Sequence, residues 1–225
     1  RNRATIGVAR MNTALTVPLW LDLLTVGIGA LQGALFAIFY KRFDLVGVIS
    51  VAILTGLGGG ILRDLLLAVG RPAAMQDKYI LTAITSCLVA ILIGRWYKKA
   101  SRAVVFLDSA AMSLFAVAGT YKAIVNDTSE LVAILLGVLT AVGGGVLRDV
   151  VCRITPQIFT GGPLYATASA LGATLFVILE KSSLDLNVAL GISAITIVAI
   201  QMASLRFRIH LKPVLDSLDF EDPSK

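Results

Sequence analysis

One ten-residue pattern occurs twice in this chain, each time inside a long apolar run. Residues 55–64 contain three consecutive glycines followed, after two apolar residues, by an arginine-aspartate pair, and residues 140–149 repeat this arrangement. Upstream, a leucine-aspartate pair that ends in Asp22 recurs as a pair that ends in Asp108. The recurrence of glycine, arginine and aspartate in register within a hydrophobic background indicates a duplicated unit. Each copy is long enough for about three membrane-spanning helices.

The chain is apolar enough to lie in a membrane. Of its 225 residues 57% are hydrophobic and 15% are charged, and its mean hydropathy is +0.86, whereas soluble domains are about 45–50% apolar. A helix needs about 20 apolar residues to cross a bilayer. The apolar runs predict an all-α, polytopic membrane protein with seven transmembrane helices, at residues 19–40, 44–69, 79–95, 104–124, 131–151, 163–180 and 186–205.

The odd number of helices in the duplicated unit decides the topology. Three crossings leave the chain on the opposite side of the membrane, so the second copy starts from that side. The sequence therefore predicts two inverted three-helix repeats plus a seventh helix, an arrangement that many transporters share. The predicted segments are a leader or N-terminal tail at 1–18, the first repeat at 19–95, a basic cytoplasmic loop at 96–103, the second repeat at 104–180, the seventh helix at 181–205 and a cytoplasmic C-terminal tail at 206–225.

The positions of the basic residues predict the orientation. Short cytoplasmic loops are enriched in lysine and arginine. The loops on one side carry Lys41, Arg42 and a basic cluster at residues 95–102, and the other side has fewer basic residues. We therefore expect the N-terminus outside and the C-terminus in the cytoplasm. The basic cluster also contains Trp96 and Tyr97 and is typical of an anchor at anionic lipid headgroups.

The residue content disfavours several classes of function. The formal charge of +6 is spread between apolar runs and forms no basic face, so we do not expect nucleic-acid binding. The single histidine and the two cysteines supply neither a metal cluster nor a histidine-based catalytic triad. We therefore expect no enzymatic activity, no metal site and no cofactor.

The two triple glycines are the first candidate site. Each glycine costs a helix interior about 1 kcal/mol relative to alanine, so three in a row favour a helix break. One interpretation is that carbonyl groups freed at two breaks line a cation path at membrane depth. The other is that the small residues let two helices pack closely. The pore or helix-break candidates are Gly58, Gly59, Gly60, Gly143, Gly144 and Gly145.

Charged residues inside the apolar runs are the second candidate site, because intramembrane charges are costly and usually functional. Adjacent residues on a helix point about 100° apart, so we expect Arg63 and Asp64 to find other partners. The topology places Arg63 in the same half of the membrane as Asp22, and Arg148 in the same half as Asp108. These two ion pairs are interpreted as gates at opposite ends of one path, or as structural salt bridges between helices. The gating or ion-pair candidates are Arg63, Asp64, Arg148, Asp149, Asp22, Asp108 and Lys122.

Lys122 has two interpretations. It lies late in the fourth span, and the equivalent residue of the first repeat is the uncharged Phe36. A charge without a counterpart points to a specific role. A lysine near a helix end can also extend to the membrane surface, and that alternative stays open.

The doubled Gly-Gly-Gly-x-x-Arg-Asp motif on two three-helix repeats, followed by a seventh helix, resembles the prokaryotic branch of the trimeric intracellular cation (TRIC) channel family, which is also described as a glycine-transporter-like family. The resemblance covers about residues 19–205. It implies a homotrimer in the prokaryotic inner membrane with one ion path in each protomer, potassium and also sodium as permeant ions, and bound phospholipid. The animal members carry a Lys-Glu-Val signature that this sequence lacks. Their lipid regulation and their partnership with calcium-release channels are therefore not carried over.

Two functions fit these features. The first is a passive, potassium-permeable channel gated by the arginine-aspartate pairs. The alternative is a secondary transporter for a small zwitterion such as glycine, in which the two repeats rock against each other. The spans offer few clustered hydroxyl or amide side chains to hold an amino acid, which favours the channel. A scaffold without transport is disfavoured by the intramembrane charges.

Overall fold

The computed structural model describes residues 17–94, 101–159, 164–182 and 184–209. Most of the predicted leader, basic loop and C-terminal tail, including Trp96 and Tyr97, lies outside these ranges. The described residues form helices and no strands, which confirms the predicted all-α class. The seven long helices are α1 Leu19–Phe36, α2 Leu45–Leu66, α3 Asp77–Gly94, α4 Ser101–Val125, α5 Glu130–Val151, α6 Tyr165–Glu180 and α7 Leu186–Phe207.

Local sequence signals set the ends of the helices. Asp44 precedes α2, and its carboxylate accepts a hydrogen bond from the backbone amide of Gly47 at 2.9 Å, which satisfies one of the free amides at the helix start. Just beyond α2 and α5, the equivalent residues Ala68 and Arg153 both adopt a left-handed backbone conformation. Helix α2 therefore ends before the predicted boundary at residue 69.

The outer surface of the helices is apolar. Large hydrophobic side chains such as Leu65, Leu131 and Ile195 are exposed. Six of the described helices are long and apolar enough to cross a membrane, and α6 is shorter, with 16 residues. Soluble monomers rarely expose apolar patches of this kind, whereas lipid tails solvate them. The chain is therefore a multi-pass membrane protein.

Helices α2 and α5 cross at the two triple glycines. Both helices are continuous through the glycines, so the predicted helix breaks are wrong. A side chain at Gly59 would collide with the carbonyl oxygen of Thr140, and one at Gly144 would collide with the carbonyl oxygen of Thr55. The two backbones thus approach closely, and the packing gained there offsets the cost of glycine in a helix. The first two glycines of each triplet serve close helix packing, whereas Gly60 and Gly145 do not face the opposite helix.

The same crossing shows that the repeats are inverted. Gly59 faces Thr140 and Gly144 faces Thr55, so the contacts run in opposite directions along α2 and α5 and the two helices are antiparallel. Helix α1 packs against α2, α3 and α4, and α7 packs against α4 and α6. Because α2 and α5 are antiparallel, their C-terminal ends lie at opposite ends of the molecule. The two helices occupy equivalent places in the repeats, so the repeats are inverted.

Candidate functional site

Four charged side chains meet where α2 ends. Nε of Arg63 donates to Oδ1 of the adjacent Asp64 at 2.8 Å, and Nη1 of Arg63 lies 3.6 Å from Oδ1 of Asp22 on α1. Lys122 on α4 places its Nζ 2.8 Å from Oδ1 of Asp64. The hydroxyl of Tyr79 on α3 donates to Oδ2 of Asp22 at 3.2 Å. We call these five residues the first cluster; its two carboxylates are balanced by two cations.

Three charged side chains meet at the equivalent place where α5 ends. Arg148 donates from Nε to Oδ1 of the adjacent Asp149 and from Nη1 to Oδ1 of Asp108 on α4, both at 2.8 Å. Tyr165 on α6 lies beside Asp108 and interacts with it electrostatically. The guanidinium carbon of Arg148 lies 4.5 Å from the ring centre of Phe36, a cation–π contact. We call these five residues the second cluster; it has two carboxylates and one cation.

Both predicted interhelical ion pairs are present, Asp22 with Arg63 and Asp108 with Arg148. Arg63 and Asp64 have the other partners that we expected, but the two neighbours also pair with each other at 2.8 Å, so the expectation that the adjacent aspartate is not the best partner of Arg63 is wrong. Arg148 and Asp149 pair in the same way. The angle between neighbouring Cα–Cβ directions does not keep an arginine away from the adjacent aspartate, because the arginine side chain is long and flexible and its guanidinium group carries five donors. Each arginine therefore bridges its neighbour and a second helix.

The charged groups in both clusters are buried, except that Lys122 is partly exposed. The exposed fraction is 3% for Arg63 and 1% for each of Asp64, Arg148 and Asp149. Removing an ion from water costs several kcal/mol, so each group depends on its partners. The second oxygens of the two aspartates bind the loops that follow, since Asp64 Oδ2 accepts from the amide of Ala73 at 2.9 Å and Asp149 Oδ2 accepts from the matching loop at 3.4 Å.

Lys122 is part of the first cluster and does not extend to the membrane surface. Its side chain is 16% exposed and points to Asp64. The equivalent Phe36 stacks on Arg148 in the second cluster. One position of the repeat thus places an ammonium group in one cluster and an aromatic ring in the other.

Four residues near the clusters were missed in the sequence. Tyr79 and Tyr165 occupy equivalent positions, and aligning the two repeats through their aspartates would have found them. Gln32 and Gln201 are 1% and 2% exposed. A buried amide side chain inside an apolar run is costly unless it has partners, so the presence of a glutamine in each of these two apolar runs could have marked it as a candidate site residue.

A cavity adjoins each cluster, and the two cavities differ in size. The cavity at the first cluster has about 20 Å³ and is lined partly by Thr25 and Gly60. That volume holds about one water molecule. The cavity at the second cluster has about 330 Å³ and is lined partly by Gln32, Tyr40 and Gln201. That volume lies in the range of sites for ions with their water and for small molecules.

Comparison with known families matches the two repeats separately. A family model described as Glycine transporter matches residues 19–95 and again residues 105–181. A UPF0126 membrane protein of Deinococcus radiodurans is 38% identical over 68% of this chain and 72% of its own length. The UPF0126 inner membrane protein YadS of Escherichia coli K12 is 30% identical over 89% of this chain and 96% of its own length.

Two solved structures that share this fold are TRIC cation channels. A TRIC trimeric intracellular cation channel orthologue from Rhodobacter sphaeroides is 30% identical, with a TM-score of 0.79, and the match covers 85% of this chain and 98% of that one. A second TRIC cation channel is 27% identical with a TM-score of 0.76, over 90% and 97% of the two chains. The fold and the paired clusters define an inverted-repeat membrane protein of the TRIC class, which consists of channels and not enzymes. The chain belongs to the prokaryotic TRIC family, whose family model is described as Glycine transporter.

Proposed function

We propose that the chain is a passive channel for monovalent cations, chiefly potassium and also sodium, with one pore in each protomer of a homotrimer. The observation that carries this proposal is the presence of two buried charge clusters at opposite ends of the antiparallel helices α2 and α5. Two such clusters in series fit a path that is closed at both ends. The likeness to TRIC cation channels at 30% identity supports the same assignment.

Side chains, and not backbone carbonyl groups, line the proposed path. Helices α2 and α5 are unbroken, so their carbonyl groups stay in helical hydrogen bonds and are not free to bind ions. Polar side chains flank the path at each end, with Thr25 on the first cavity and Gln32 and Gln201 on the second. The path runs beside the glycine crossing and joins the two cavities.

The two arginines act as gates in this proposal. When Arg63 is paired with Asp22 and Arg148 with Asp108, the guanidinium groups obstruct the path and repel cations. Rotation of an arginine away from its interhelical partner opens that end. The pair at the first cluster is longer, at 3.6 Å against 2.8 Å, so its interhelical attraction is weaker.

The proposal places the protein in a bacterial inner membrane, with the N-terminus outside, the C-terminus in the cytoplasm and phospholipid bound to the trimer. The relative YadS is named an inner membrane protein. Lys41 and Arg42, which follow α1, fall on the cytoplasmic side in this orientation. The first cluster then faces the outside and the second cluster faces the cytoplasm.

Flux in liposomes tests the proposal. Purified protein in potassium-loaded liposomes, with a proton ionophore for charge balance, should release potassium faster than protein-free liposomes. A potassium-sensitive dye follows the release. Liposomes that release no potassium but take up labelled glycine in a saturable way would overturn the channel assignment.

A second candidate function, transport of a small zwitterion such as glycine, is favoured by one observation. The cavity of about 330 Å³ presents Asp108 and Arg148, which match an ammonium and a carboxylate group. Arg148 already contacts two carboxylates of the protein, so a substrate carboxylate would have to displace one of them. Uptake of glycine without potassium flux in the same liposomes identifies this function.

A further inference from the structure

The second cluster lacks a positive charge that the first cluster has. The contacting side chains of the first cluster include Asp22 and Asp64 against Arg63 and Lys122, which balance. Within the described part of the chain, the two carboxylates of the second cluster pair with one basic side chain, Arg148. A buried site with one unbalanced negative charge is costly unless a cation lies nearby. Phe36 occupies the position at which a lysine would supply that cation.

Two buried amide oxygens near the second cluster have no hydrogen-bond partner among the described residues. They are Oε1 of Gln32 on α1 and Oε1 of Gln201 on α7, and both side chains line the cavity of about 330 Å³. Buried polar atoms are nearly always partnered, and an unpartnered one points to a water or an ion. Two such oxygens from helices far apart in the chain border the same space.

The cavity has the room and the charge for a cation. Asp108 and Arg148 are the only charged residues among the described residues that line it. A carboxylate offers about four acceptor positions, and Arg148 uses one of those on Asp108. A volume of about 330 Å³ admits a cation with several water molecules, since each water occupies about 30 Å³.

We infer that this cavity is a binding site for a partly dehydrated potassium ion, held by Asp108 and by the amide oxygens of Gln32 and Gln201. Amide carbonyl oxygens replace the hydration shell of potassium in selectivity filters, and the glutamine amides offer the same donor type. The ion takes the electrostatic place that the ammonium group of Lys122 fills in the first cluster. The role of this site in ion permeation rests on the proposed channel function. Binding of potassium at the site can be measured without any measurement of conduction.

Thermal stability in two salts measures binding directly. The purified protein should melt at a higher temperature in potassium chloride than in N-methyl-D-glucamine chloride at equal ionic strength, because a ligand of the folded state stabilises it. Replacing both amides, Gln32→Met with Gln201→Met, should raise the half-effective potassium concentration about tenfold or more, the factor given by about 1.4 kcal/mol of lost binding free energy. Ser193→Ala is the matched control, because the hydroxyl of Ser193 on α7 is also buried with no partner in the described part of the chain, but Ser193 does not line the cavity.

Phe36→Lys is a second variant that does not depend on the fold of the glutamine variants. Its ammonium group should replace the ion and remove the potassium-dependent difference in melting temperature. The inference is overturned if wild-type protein melts equally in both salts, or if the Phe36→Lys and glutamine variants keep the full potassium effect. Potassium flux in liposomes is measured beside these assays. If potassium flux is present but potassium does not change the melting temperature, the binding site is overturned and the channel function stands. If potassium raises the melting temperature but no flux is seen, the channel function is overturned and the binding site stands.

Discussion

The first and second clusters are built on the same duplicated motif, yet they differ in charge and in space. Lys122 balances the first cluster, which adjoins about 20 Å³, whereas Phe36 stands at the equivalent place in the second cluster, which adjoins about 330 Å³. Duplication supplied the arginine, the two aspartates and the tyrosine at both ends. One position of the repeat then made the ends unequal. An inverted repeat can therefore give an asymmetric path through a nearly symmetric frame.

The shared frame is the feature whose disruption should have the largest effect. Gly144→Val places a branched side chain against the carbonyl oxygen of Thr55, and neither backbone can move without separating α2 from α5. We expect no folded protein in the membrane fraction, measured by size-exclusion chromatography in detergent. Gly60→Ala is the matched control, since the nearest neighbouring atom to an added methyl is 4.0 Å away, on Arg63. Equal loss of folded protein in both variants would contradict the close-packing account.

Loss of an arginine should harm the second cluster more than the first. Arg148→Ala removes the basic side chain that pairs with the buried Asp108 and Asp149, which costs about 3–5 kcal/mol. In Arg63→Ala, Lys122 still pairs with Asp64, so we expect about 1–3 kcal/mol. Melting temperatures in detergent compare the two variants. Equal shifts in melting temperature would mean that the charge difference between the clusters does not affect the stability of the protein.

Lys122→Met should make the first cluster resemble the second. It removes the ammonium group while Asp64 keeps Arg63 and the amide of Ala73, so we expect a stability loss of about 1–3 kcal/mol and a higher open probability. Single-channel recording measures the open probability. Lys181→Met serves as the control, because its ion pair with Glu130 is exposed at the surface. An unchanged open probability with an intact trimer would remove Lys122 from the proposed gate.

The tyrosines should give the smallest effects. Tyr79→Phe removes one hydrogen bond to Asp22, and Tyr165→Phe removes a hydroxyl that lies beside Asp108. A hydrogen bond of this kind contributes about 0.5–1.5 kcal/mol, or up to about 3 kcal/mol where the acceptor is charged. We expect small and similar shifts in melting temperature and in the mean open time. A loss of folding in either variant would show that its hydroxyl supports more than its aspartate.

The sequence predicted the fold well because a repeat and apolar run lengths are direct signals. Seven helices, the inversion and the pairs of Asp22 with Arg63 and Asp108 with Arg148 all follow from the register of the two motifs and the direction of each helix. The helix breaks were wrongly predicted, because helix propensity does not include the packing energy of two touching backbones.

The remaining site residues depended on information that local sequence does not carry. Lys122 reaches Asp64 only because α4 packs beside α2 at that end, and the sequence alone left its direction open. Gln32 and Gln201 line the same cavity because α1 and α7 both pack against α4, which no spacing along the chain predicts.

Single-channel recording in a planar bilayer tests the central claim, passage of cations past two charge clusters, most directly. Purified protein under a potassium chloride gradient should give unitary currents that reverse near the potassium equilibrium potential. The reversal should persist in Lys122→Met while the open probability rises. Currents that reverse at the chloride potential, or silent bilayers with protein that takes up glycine in liposomes, would contradict the account.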